Sequence, residues 1–251
     1  MSKFISKQSV AIWYGLTALL ATFLVGQVIL WCFPDGRSMG ASLLFILMNL
    51  IPMIVAAVFS LVLSEVNSLG EFFKKVFLQK ESPLSWILAF FIPVIYYGIS
   101  ILLMNVRFTG NSLLAFFLYF PWTLLYGGLE EVGWRCFLQD HLSFSKHFIP
   151  KMMLLSIVWF LWHIPIYQLP WITAGSSNYL IFYLMILGNT FLFGALKEYS
   201  KGAVPCILAH MLIDSLAVLM LVQSSLSQII LLVIFEILVS YWLVAIRKLE
   251  K

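Results

Sequence analysis

Ser112–Leu129 reads SLLAFFLYFPWTLLYGGL, and Glu130-Glu131-Val132-Gly133-Trp134-Arg135 follows it without a break. The first stretch has no charged residue and is long enough, as a helix, to cross about 30 Å of hydrocarbon. The second places two carboxylates and a guanidinium at its end. A charged side chain near a bilayer costs a few kcal/mol, so it needs a partner or a task. Adjacent carboxylates cost more, because each disfavours the charged form of the other. The spacing stays helical through Leu138, so this span is expected to run past the glutamates and end near Asp140.

The whole chain repeats the pattern of that apolar run. Of 251 residues, 62% are apolar and 10% charged, with a mean hydropathy of +1.00. A soluble domain carries about 25% charged residues. Eight runs are long enough to span a membrane, at roughly 11–33, 42–63, 84–104, 112–129, 152–169, 179–196, 203–222 and 227–246. None alternates in the manner of a barrel strand, so each is expected to be a helix with its backbone hydrogen bonds closed internally. The first run follows Lys3 and Lys7 but is too long for a signal peptide, and is expected to be retained. The expected fold is an all-α polytopic bundle of about eight transmembrane helices in a cell membrane.

Lysine and arginine orient the bundle. With a cytosolic N-terminus, the inner segments hold Lys3, Lys7, Lys74, Lys75, Lys80, Arg135, Lys146, Lys151, Lys197, Lys201, Arg247, Lys248 and Lys251, and the outer loops hold Arg37 and Arg107. This asymmetry places both termini inside. The net charge of +4 reports orientation and gives no reason to expect nucleic acid. Cys32, Cys136 and Cys206 have no paired spacing that suggests zinc or a disulfide framework. Residues 64–83 contain a short amphipathic segment expected on the inner membrane face. The expected organisation is three N-terminal spans (1–111), a core (112–222), and a last helix with a basic tail (223–251).

Polar residues inside the spans carry the functional reading. Glu131 and Arg135 are four apart and can pair on one helix face. Glu130 lies about 100° round that helix, so the same arginine does not satisfy it in the same way; it is the better candidate for a working base. Trp159 and His163 are one turn apart in the fifth long run, and Trp162 adds a second indole to the expected pocket wall. His210 and Asp214, also four apart, suit either a metal-binding pair or a hydrogen-bonded dyad. Counted from the inner ends, His163 lies about 18 Å deep, His210 about 11 Å and Asp214 about 17 Å. Glu130, His163 and His210 are therefore expected around one cavity, open to the cytosolic side. Glu236 is expected to make a hydrogen bond within the bundle, Asn49 and Asn189 to bond between helices, and His141 and His147 to be solvated in a basic loop.

Glu-Glu-x-x-x-Arg, then aromatic-x-x-x-His, then His-x-x-x-Asn/Asp, each in a separate apolar helix, resembles the CPBP family of intramembrane proteases. That family includes the CAAX prenyl endopeptidases and the bacterial Abi, or bacteriocin self-immunity, proteins. The matching residues are Glu130, Glu131 and Arg135; Trp159 and His163; and His210 and Asp214. Trp159 stands where Phe is usual, and Asp214 where Asn is common. The resemblance implies hydrolysis of a peptide bond in a membrane-embedded or membrane-associated peptide or protein. It implies that Glu130 with His163 activates a water, that His210 with Asp214 stabilises the oxyanion or completes a metal site, and that Arg135 holds the glutamates. His163, His210 and Asp214 could hold one divalent metal, zinc fitting best, and a metal-free glutamate mechanism is the alternative. The rival from another class is a non-catalytic immunity or interaction protein in the membrane.

Overall fold

The computed structural model describes residues 6–36, 38–143, 147–169, 171–172, 178–223 and 225–249. Lys3, Arg37, Lys146 and Lys251, counted above for orientation, lie outside these, as does most of the connection from Pro170 to Asn178. Of the described residues, 79% are helical and almost none are in strands, an all-α polytopic bundle.

The helices are α1 (Lys7–Cys32), α2 (Met39–Val62), α3 (Leu69–Phe77), α4 (Pro83–Leu102), α5 (Leu113–Thr123), α6 (Gln139–His141), α7 (Phe148–Tyr167), α8 (Tyr179–Tyr199), α9 (Val204–Leu216) and α10 (Leu226–Leu249). Local sequence sets their starts. Ser6, Ser38, Ser68 and Ser82 each accept a hydrogen bond from the backbone three residues on, and Pro83 follows Ser82 at the first helical position. Trp13, Leu16, Leu20, Leu24 and Trp31 of α1 point outward, whereas Thr22, Asn49, Ser85, Ser100 and Thr190 are buried. An apolar exterior over a partly polar interior is what a lipid solvent selects.

Among the described residues, six helices are long and apolar enough to cross a membrane, namely α1, α2, α4, α7, α8 and α10. The opening run forms a helix pair, Leu113–Gly128 and Val132–His141, bent by 41°, which makes a seventh crossing if the pair is one broken span. The bend comes from two π-helical stretches, Leu124–Gly128 and Val132–Leu138, which flank Glu130 and Glu131. Within them the ladder slips by one residue, as where the Leu129 amide reaches back to the Leu124 carbonyl at 3.0 Å. The run at 203–222 differs from the sequence expectation. Its helix, α9, has 13 residues, about 20 Å at 1.5 Å per residue. The rest turns and forms β2 (Met220–Val222), antiparallel to β1 (Val106–Phe108), with Arg107 opposite Leu221. Apolar strand residues and apolar helix residues are not told apart by hydropathy.

Alternating helices give the bundle two distinct ends. At one, the Ala203 amide bonds the Val76 carbonyl of α3, Ser85 bonds the Tyr199 carbonyl, and Lys197 lies 3.5 Å from Asp140. Here α3 lays down Phe72 and Val76 and leaves Lys74 and Lys75 exposed, as an amphipathic surface helix should. His141 belongs to this end and is buried rather than solvated: its ring bridges the Phe137 carbonyl (2.8 Å) and the Glu65 carboxylate (2.7 Å). His147 is exposed. At the opposite end, the Gln223 amide bonds the Asn105 carbonyl, Gln228 bonds the Leu103 carbonyl, and Thr109 bonds Leu219. We call these the basic end and the strand end.

Two expectations about the other polar residues fail. Asn49 donates to Phe45 of its own helix, not to a neighbour. Neither oxygen of Glu236 finds a partner among the described residues; the side chain is buried against Gly188, where a Cβ would overlap it.

Candidate active site

Glu130 and Glu131 sit between the two π-helical stretches, and the preceding glycines let α9 approach. A Cβ on Gly127 would lie 2.5 Å from Asp214 Oδ2 and 3.0 Å from His210 Nε2, and one on Gly128 would meet Met211 and Ile207. The pair of glycines was the sequence signal for this close approach. The π geometry itself has no such signal.

The two glutamates have different surroundings. Glu131 Oε2 accepts from Arg135 Nε at 2.6 Å, with both side chains fully buried, so the i,i+4 pairing read from the sequence is present. Glu131 Oε1 accepts from His210 Nδ1 at 2.9 Å. Arg135 also donates to the Thr190 carbonyl at 3.3 Å, and its guanidinium lies 5.0 Å from the centre of the Trp159 ring. It holds Glu131 alone of the two glutamates. Glu130 Oε1 accepts from Trp159 Nε1 at 3.1 Å and lies 3.6 Å from His210 Nδ1. Glu130 Oε2 is buried with no hydrogen-bond partner among the described residues.

A cavity of about 260 Å³ begins at Trp159, Phe193 and His210 and is walled by Tyr96, Tyr97, Tyr167 and Phe182. His163 and Asp214 line it too. His163 Nδ1 donates to the Trp159 carbonyl at 2.8 Å, which leaves Nε2 as the acceptor of a neutral ring. Asp214, its side chain 34% exposed, has Oδ2 3.5 Å from His210 Nε2. Glu130 is not part of the lining: it sits immediately behind Trp159 and His210, to which it is joined. The cavity continues past Ala217 to Met220, Leu221 and Val222. It therefore leads to the strand end, not to the basic end expected from the sequence.

Trp162 does not contribute to that wall. Its indole N–H donates to Thr22 of α1 at 2.8 Å, and its ring packs on Trp134. Three residues from Trp159 along the helix, it faces a different neighbour. The role of Trp159 as a hydrogen-bond donor to Glu130 was not legible either, since aromatic type alone suggests only a wall.

The donor atoms that converge also differ from the expected metal set. Glu130, Glu131 and His210 each offer an atom within 4.8 Å of the others and could hold a metal ion. His163 and Asp214 are not in that group. The atoms of Glu131 and His210 are spent on each other and on Arg135, so a cation would have to break those bonds. As arranged, the set suits an organised hydrogen-bond network better than a ready metal centre.

No curated protein matches the chain. Residues 109–216 match the family model described as type II CAAX prenyl endopeptidase Rce1-like. That segment holds both glutamates, Arg135, Trp159, His163, His210 and Asp214. The family is one of proteases, and its match agrees with the resemblance carried by the three motifs. Residues 109–216 of this multi-pass membrane protein are thus similar to the Rce1-like domain of type II CAAX prenyl endopeptidases.

Proposed function

We propose that the chain is an intramembrane endopeptidase in which Glu130 is the general base. The observation that carries this reading is the buried Glu130 just behind the cavity wall: its Oε1 is held by Trp159 beside His210, and its Oε2 has no partner among the described residues. A carboxylate with one oxygen fixed and the other free is built to hold a water. That water passes between the Trp159 and His210 side chains, and His163 Nε2 offers it a second acceptor. Glu130 takes a proton from the water as its oxygen bonds to the peptide carbonyl carbon. The carbonyl oxygen becomes an oxyanion, and when the C–N bond breaks Glu130 returns the proton to the leaving amine.

His210 supplies the electrophilic side. Its Nδ1 is held by Glu131, itself held by Arg135, and its Nε2 faces the cavity beside Asp214. With Nδ1 bonded to Glu131 and Nε2 3.5 Å from the Asp214 carboxylate, the ring is placed to carry a proton on each nitrogen. Turning the Nε2 proton from Asp214 to the substrate oxygen stabilises the oxyanion. The substrate is a membrane-embedded or membrane-associated peptide or protein, and no step is routed through a metal.

The test is cleavage of a library of fluorogenic peptides anchored to a transmembrane segment, with the purified chain in proteoliposomes. Glu130→Gln keeps the shape of the side chain but cannot take the proton, and should lower the rate about 100-fold or more at unchanged membrane yield. Cleavage at the parental rate by Glu130→Gln would refute the assignment. If neither chain cleaves any peptide, the non-catalytic alternative gains.

A further inference from the structure

Among the described residues, the cavity joins the candidate active site to the strand end of the bundle. Towards the strand end it runs from His210 past Asp214 and Ala217 to Met220, Leu221 and Val222 of β2. Met220 and Ala217 are half-buried, as residues on an open wall are. Towards the basic end the same cluster is backed by Trp134, Arg135, Leu138, Gln139, Leu196, Ala203 and Cys206, all buried. Gln139 further closes that side by donating to the Gly194 carbonyl at 3.0 Å. A peptide coming from the basic end would have to displace this packed layer. One coming from the strand end would not.

The charge asymmetry says which compartment each end faces. Lys7, Lys74, Lys75, Lys151, Lys197, Lys201, Arg247 and Lys248 all belong to the basic end, and Arg107 lies in β1 at the strand end. Basic residues near the ends of spans are retained on the cytosolic side.

We infer that the site takes its substrate from the non-cytosolic face: an extended, apolar peptide segment on that side of the membrane, entering between β2 and the aromatic wall. This rests on the proteolytic reading above and narrows it. It separates the chain from an enzyme that works on lipid-modified cytosolic C-termini. Tyr96, Tyr97, Tyr167 and Phe182 give the entering segment an apolar surface with hydroxyls at its edge, and Asp214 is the carboxylate that it meets on that wall.

Thiol labelling tests the direction without any need for cleavage. Ala217→Cys and Met220→Cys, each in the otherwise native chain, would be treated in intact cells with a charged, membrane-impermeant thiol reagent. The parent chain supplies the background, and Lys75→Cys marks the basic end. Both cavity cysteines should react in intact cells at least tenfold faster than Lys75→Cys, which should react only after permeabilisation. Reaction of the cavity cysteines only after permeabilisation, or under neither condition, would overturn the inference. If the cavity cysteines react but the peptide library is never cleaved, access stands and the proteolytic reading falls. The adduct on Ala217→Cys should also lower cleavage at least tenfold in proteoliposomes; undiminished cleavage would mean that the substrate uses another route.

Discussion

Asp214 and Glu131 both lie within reach of His210, and their distances assign them different work. Glu131 is 2.9 Å from Nδ1 and is itself anchored by Arg135, whereas Asp214 is 3.5 Å from Nε2 and partly exposed to the cavity. The ring is thus oriented from the Glu131 side, and the Asp214 side is the one that lines the cavity. Asp214→Asn should keep activity within about tenfold, because an amide can still accept from the ring and can donate to an oxyanion. Glu131→Gln should lose about 100-fold, on the scale of a removed catalytic group, because neither Arg135 nor His210 keeps its anionic partner. Cleavage by both variants and by the parent should persist through chelator treatment. Chelator-sensitive activity restored by zinc, together with inactive Asp214→Asn, would reinstate the ligand role for Asp214. The sequence showed the Glu131–Arg135 pair because four-residue spacing fixes a helix face. It could not show Glu131 against His210, because that contact joins helices 79 residues apart in the chain and depends on how α9 lies over the bend.

At the scale of elements, the π-helical stretches and the two glycines are one device. Slipping the ladder on both sides of Glu130 and Glu131 turns the two carboxylates inward, and Gly127 leaves the space into which His210 and Asp214 fit. Gly127→Ala should therefore cost about 1–3 kcal/mol of overpacking and should lower cleavage by more than the loss of folded protein explains. A methyl group on Gly98 in α4 would meet nothing within 4 Å, so Gly98→Ala should be neutral or stabilising, by up to about 1 kcal/mol. Thermal retention in detergent, measured beside cleavage, separates the two effects. If Gly127→Ala matched Gly98→Ala in both readouts, the close approach would not matter to the site. Hydropathy located the long helices to within a few residues at most ends. It misassigned the end of the run at 203–222, because Met220–Val222 is as apolar as a helix while its backbone pairs with β1.

At the scale of the whole molecule, orientation decides what the cavity can meet. The alternation of helices puts residues 75, 147 and 199 at the basic end and residue 107 in β1 at the strand end. Single cysteines at Lys75, His147 and Tyr199 should be shielded from an impermeant reagent in intact cells, and one at Arg107 should react. Tyr199 is buried and donates to the Leu243 carbonyl at 2.6 Å, so Lys201→Cys, two residues on and exposed, is the better reporter of that end. Charge reversal gives a second reading of the same property. Replacing Lys74 and Lys75 by glutamate removes two exposed cations of α3 at the basic end, each worth about 1 kcal/mol near an anionic leaflet. The helices should nevertheless keep their direction, since Lys7, Lys151, Lys197, Lys201, Arg247 and Lys248 remain at that end. Labelling of Lys201→Cys from outside, with Arg107→Cys protected, would invert the bundle. The cavity would then face the cytosol without any change in its walls, and cytosolic polypeptides would become the substrates that it can reach.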